Sequence, residues 1–307
     1  MSASTVADVE REAAAAAADA AREARADVLE RSGPIDTGPP RSARQQKRLD
    51  KLSADADGYK RFVVDVWITN LNHVEFGVYK RSRNRARSRQ FTADMDVFAE
   101  IIENGKRTGL LAYREDLWAK KTGLDKRLVF KLFTEGLGWR ATMDLMLGRS
   151  LQQTLGARGL PVMTYSINTN DDDNIIYVER SANKWVGLPE NFSFFLLVDG
   201  KPYFYRLKRD LIDLGGDYTL YDQQDKEIGH IDGRVFSIGG YWTGQVRADH
   251  ADKRMMATLK LFCGMLIFNK QCRQHLKRLH REMLRGTLDL KLEKQEADLY
   301  MNPRRVR

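Results

Sequence analysis

The chain has 307 residues, 42% of them hydrophobic, with 51 Lys and Arg against 42 Asp and Glu, a formal net charge of +9. That apolar share is ample for a core and excludes a chain that is disordered throughout, and the length suits one large or two ordinary domains. There are two cysteines, Cys263 and Cys272, which on one helix would sit about 13 Å apart along its axis, too far for a bridge, so a reducing compartment, the cytoplasm, is expected.

Residues 5–31 mix Ala, Glu, Asp and Arg and have high helix propensity but no stripe of large apolar residues. They read as a lone solvated helix or a disordered tail, since packing stabilises most helices. Asp8, Glu10, Glu12 and Asp19, with no apolar stretch among the first 30 residues, argue against a signal or transit peptide. Gly33–Pro40 is a linker by composition, and residues 1–57 form an Ala-rich and basic tail. Two strands follow at Arg61–Thr69 and His73–Tyr79, where apolar residues alternate and Asn70–Asn72 supplies the turn.

Charge is clustered from there on. Lys80, Arg81, Arg83, Arg85, Arg87 and Arg89 contribute +6 with no acid among them, and Lys270–Arg307 another +6, from eleven cations and five acids. The remainder therefore carries 9 − 6 − 6 = −3. Such clusters fit an anionic partner, nucleic acid or acidic lipid, or else two solvated faces. On a strand the five arginines would share one face at roughly 6.6–7 Å spacing; in a loop they form a generic basic arm.

Thr92 caps a predicted helix over 93–103 that Asn104-Gly105 ends, and further helices are predicted at 109–121, 125–135 and 139–156. Within 117–133, Ala119, Gly123, Leu124, Val129 and Leu132 resemble a helix-turn-helix, in which a small residue and a Gly let two helices cross closely. Lys126, Arg127 and Lys131 would then face a DNA groove. A plain helical hairpin has the same pattern. Asn168–Glu179 has oxygen-bearing residues at the spacing of a calcium loop, but Asp173 stands where a Gly is required, so it reads as an acidic hairpin tip. None of the five histidines has metal-ligand spacing, and neither a phosphate-cradling Gly loop nor a nucleophile elbow occurs. No cofactor, metal or catalytic residue is expected.

Between about 161 and 246 the pattern turns to strands separated by Asp199-Gly200, Gly215-Gly216, Asp222–Lys226, Asp232-Gly233 and Gly239-Gly240; Asp-Gly between such runs is a strong hairpin signal. A long helix follows from Lys253 to about Arg285, with Gly286 to break it. Met255–Phe268 is apolar nearly all round, which means burial, and at about 14 residues it is short of the ~20 that span a bilayer. Beyond it, Cys272, Leu276, Leu279 and Met283 form a stripe bordered by Lys270, Arg273, Lys277, Arg278, Arg281 and Arg285. A basic amphipathic helix of this kind lies on an acidic membrane or docks on its own domain. Residues 286–307 form a basic tail.

Phe204–Leu207, Asp217–Asp222, Glu227–Gly233, Val235–Ile238 and the rod Met255–Phe268 resemble the tubby, phospholipid-scramblase and LURP-one-related superfamily. The resemblance implies a curved sheet closing into a barrel around an apolar C-terminal helix, and members that bind phosphoinositides or acidic lipids, or act as scaffolds. Strand-like residues are fewer here than a full twelve-stranded barrel uses, so either 61–79 adds two strands or the barrel is open.

The expected architecture is α+β: a helical N-terminal half (a β-hairpin plus helices over 58–160), then an antiparallel meander packed on an apolar helix over 161–285. The expected function is non-catalytic, membrane-peripheral recognition of anionic phospholipid through Arg81, Arg83, Arg85, Arg87, Arg89, Lys270, Arg273, Lys277, Arg278 and Arg281. The alternatives are DNA binding through Lys126, Arg127 and Lys131 with the arginine arm, or a structural subunit docking a protein partner through its N-terminal helix or C-terminal tail.

Overall fold

The computed structural model describes residues 58–66, 90–92, 95–104, 106–171, 174–181, 190–210, 216–233 and 240–288. Twelve antiparallel strands close into a barrel: β1 (Tyr59–Val66), β2 (Met95–Glu103), β3 (Lys106–Arg114), β4 (Val129–Thr134), β5 (Trp139–Leu145), β6 (Thr164–Thr169), β7 (Ile176–Arg180), β8 (Asn191–Val198), β9 (Lys201–Arg209), β10 (Tyr218–Tyr221), β11 (Glu227–Gly233) and β12 (Tyr241–Arg247). Each strand pairs with its neighbours in sequence, and β1 closes the ring by pairing with both β2 and β12. Among the described residues three helices accompany them: α1 (Glu115–Ala119), α2 (Leu147–Gly156) and α3 (Lys253–Leu284).

The barrel is filled by the first half of α3. Met255–Leu259 and Leu261–Met265 are buried on every side. Phe262 meets the rings of Phe192 on β8 and Tyr218 on β10, centroids 5.0 and 5.1 Å away. On the other side a Cβ on Gly264 would lie 2.8 Å from Leu111 Cδ1 of β3 and 3.3 Å from Phe98 Cζ of β2. The helix is thus enclosed by the wall, as a residue stretch apolar all round requires. Asp252 caps it by accepting from the Met255 amide at 2.7 Å, and Gly286 ends it at φ +69.

Alternation builds the wall. On β1, Phe62, Val64 and Val66 face inward and are buried, and Phe62 pairs with Gly244 of β12. A Cβ on Gly244 would stand 2.2 Å from the Phe62 ring, so glycine there makes room for phenylalanine. The β8–β9 turn uses Asp199 and Gly200, both at positive φ, the geometry a two-residue hairpin needs. Asp222 Oδ1 accepts from the Gln224 and Lys226 amides at 2.9 Å each and sets the β10–β11 turn.

The α+β reading with a helical N-terminal half is overturned: 93–103 contains β2, 109–121 runs from β3 into the five-residue α1, 125–135 is mostly β4, and 139–156 is β5 followed by α2. These strands are buried on both faces. Met95, Val97, Leu110, Ala112 and Phe133 pack outside the barrel under Phe91, while Phe98, Ile101, Leu111, Phe130 and Leu132 pack inside. A bulge between Val97 and Ala99 also switches β2 from one face to the other. Two-sided burial with a bulge erases the period of two and leaves apolar spacings that mimic a helix. Asn104, at φ +52 in the two-residue link between paired Glu103 and Lys106, turns a hairpin rather than ending a helix.

Candidate functional site at the rear rim of the barrel

The barrel has two rims. At the front rim, where β12 ends at Arg247, α3 enters; at the rear rim, where β1 ends and β2 begins, it leaves. The exit is held by a buried polar cluster. Arg180 pairs with Glu190 and donates from Nη1 to Pro161 O at 2.8 Å. Tyr218 OH and Asn269 Nδ2 donate to the other carboxylate oxygen at 3.0 and 2.9 Å. Burial alone would raise the Glu190 carboxyl, but Arg180, with Arg273 and Tyr218, holds it below the usual range.

Outside the barrel, α3 continues from Asn269 to Leu284 with its apolar side docked. Cys272, Leu276 and Leu279 are fully buried. Trp118 of α1 donates from Nε1 to Gln271 at 3.2 Å and stands edge-on to His275 at 6.1 Å. Arg278 Nη2 lies 2.9 Å from His275 Nδ1. Burial, then the charges of Arg278 and Lys126, press the His275 pKa down to about 4, so it is neutral at pH 7. Burial pushes the Cys272 thiol up to about 12 and that of Cys263 well up, so neither is a thiolate.

The opposite side of this half is a cationic comb. Lys270, Lys277, Arg278, Arg281 and Arg285 are all exposed, and Lys270, Lys277, Arg281 and Arg285 recur at intervals of seven, four and four, one face of a helix. They extend over roughly 22 Å. Glu282, 3.8 Å from Arg278, is the acid within this stretch of helix. Arg273 belongs elsewhere: it is half-buried and its field acts on Glu190. Arg285, which borders the same stripe in the sequence, also falls on the comb.

The helix-turn-helix reading fails. Ala119 ends α1, Gly123–Asp125 is one 3-10 turn, and Val129 and Leu132 lie on β4. Lys126, Arg127 and Lys131 share no outward face. Lys126 lies over the Trp118 ring at 4.4 Å, and burial lowers its pKa. Arg127 is buried and paired with Asp144. Lys131 donates to Gln90 Oε1 at 2.6 Å. Arg81, Arg83, Arg85, Arg87 and Arg89 lie outside the described residues, as do His73–Tyr79; the flanking strands, β1 ending at Val66 and β2 beginning at Met95, both open onto the rear rim.

No family model, curated protein or solved structure matches the chain. The closed twelve-stranded barrel around an apolar helix is compatible with the tubby and scramblase barrel. Among the described residues no helix is long and apolar enough to cross a membrane, and no group of His, Cys, Asp or Glu could hold a metal ion.

Proposed function

We propose that the protein is a non-catalytic, membrane-peripheral binding protein of the tubby and scramblase kind, recognising anionic phospholipid from the cytoplasmic side. One observation carries this reading: Lys270, Lys277, Arg278, Arg281 and Arg285 project from a helix whose apolar side is already used by its own domain. The contact is therefore electrostatic rather than insertive, at about 1 kcal/mol per cation near an acidic surface. Leu284, 69% exposed beside the comb, is the one large apolar residue available to it among the described residues. Arg81–Arg89 would add to the same attraction.

Sedimentation with phosphatidylserine-containing vesicles, run across a salt series beside a DNA mobility shift, tests it. Binding should require the acidic lipid, weaken with salt, and fall when Lys277 and Arg281 are changed to Gln. Salt-sensitive DNA binding with no vesicle binding would instead favour sequence-independent phosphate contact. Failure of both assays would favour a subunit that docks a protein.

A further inference from the structure

We propose that a cleft at the front rim, between the first two turns of α3 and the ends of β1 to β5, binds a small organic anion with an apolar body. This site is at the opposite end of the barrel from the comb and does not depend on it. The cleft encloses about 400 Å³, within the ~300–1,000 Å³ of small-ligand sites. Its floor is apolar, formed by Ile101, Leu132, Met256 and Ala257.

Its charge is unbalanced. Lys60, Arg140, Lys253 and Lys260 line it with Glu103 and Asp171, four cations against two carboxylates, a net +2. The inner pair is satisfied: Lys260 donates to Glu103 at 2.9 Å, and Thr108 donates to the other Glu103 oxygen at 2.7 Å. Burial would raise the Glu103 carboxyl, but Lys260 and Thr108 hold it down, so it stays ionised. Lys60 donates to Ala251 O at 2.9 Å. The outer cations are different. Lys253, 79% exposed, is only loosely placed 3.6 Å from Asp171, and the exposed Arg140 guanidinium makes no ion pair or hydrogen bond with a described residue. Lys253 is also the first residue of α3, whose N-terminal Met255 amide is already met by the Asp252 cap, so the outer cations carry the attraction.

A guanidinium and an ammonium at the rim ask for a carboxylate or a phosphate monoester, which a guanidinium grips with two hydrogen bonds. The floor asks for an aliphatic or aromatic body, which an inorganic ion lacks. Octanoate and octyl phosphate share this chemistry with different heads, and octanol and inorganic phosphate each carry half of it.

The test follows the Met256 methyl by NMR in the full chain with 13C-methyl methionine, the signal assigned with Met256→Leu. At least one octyl anion should shift it saturably, while octanol and inorganic phosphate should not. Arg140→Gln with Lys253→Gln removes two exposed cations, so unfolding temperature should hold while affinity falls about tenfold or more, some 1.4 kcal/mol. Which anion binds tighter names the head group. The proposal is overturned if neither anion saturates, if octanol binds as tightly, or if the double variant binds unchanged. Lys277→Gln with Arg281→Gln should leave this binding intact while weakening that to vesicles, so the two sites fail separately.

Discussion

The two halves of α3 follow opposite rules. From Met255 to Met265 the helix is surrounded by strands and buried in all directions but one, where Lys260 reaches Glu103. From Asn269 to Leu284 it is covered on one side only, and the free side carries a row of cations. The first half holds the barrel together and offers surface only at the front cleft, through Met256, Ala257 and Lys260. The second needs only half its circumference for docking, so its other side can change without cost to the fold. One continuous helix thereby carries a fixed position from the core out to the cationic comb.

Substitutions can break or sharpen that contrast. Phe262→Ala, inside the barrel, should cost about 3–5 kcal/mol in chemical denaturation; a loss under about 1 kcal/mol would mean the helix is not tightly enclosed. Glu190→Gln, at the boundary between the halves, leaves buried Arg180 uncompensated, and a loss on the order of 3–5 kcal/mol is expected by the same measurement. The sign in pH follows from its depressed pKa: the Glu190 contribution is present above the ordinary carboxyl range and disappears as pH falls through its folded value.

His275, in the docked half, has a folded pKa of about 4 against an ordinary 6.5. The unfolded chain takes up a proton first, so stability should decline as pH drops below 6.5 and level off below about 4, by roughly 3 kcal/mol in all. Urea melts across that range should show this slope, and His275→Gln should flatten it. Gly264→Ala places a methyl against Leu111 and Phe98, and overpacking of about 1–3 kcal/mol should exceed the helix-propensity gain of up to ~1 kcal/mol; a rise in melting temperature would show slack in the barrel. Lys277→Ala with Arg281→Ala should move stability by no more than about 0.5 kcal/mol per site, yet weaken vesicle binding by about 2 kcal/mol. Equal losses in both assays would erase the distinction between the halves.

What the residues disclose in advance depends on how many faces each element buries. The hairpins around Asp199-Gly200 and Asp222–Lys226 were legible because turn chemistry is local, and the end of α3 because Gly286 breaks it. The apolar rod could be read because nothing but enclosure explains an all-round apolar helix. Strands β2 to β5 were hidden because outer contacts under Phe91 added a second set of buried residues. The comb was visible as a stripe, but the role of its apolar partner was not: Cys272, Leu276 and Leu279 face the domain, and nothing local distinguishes that from facing a membrane. The front cleft had no sequence signal, since Lys60 and Ala251 meet across 191 residues.

A closed ring around an enclosed rod constrains the order of assembly. A helix that follows the last strand in the chain cannot be threaded through a finished cylinder, so the sheet must curl about α3 as a mandrel. Closure also needs the β1–β12 seam, Tyr59 to Arg247 through Asp65 to Tyr241, which joins segments far apart along the chain, a contact with a high cost in loop-closure entropy.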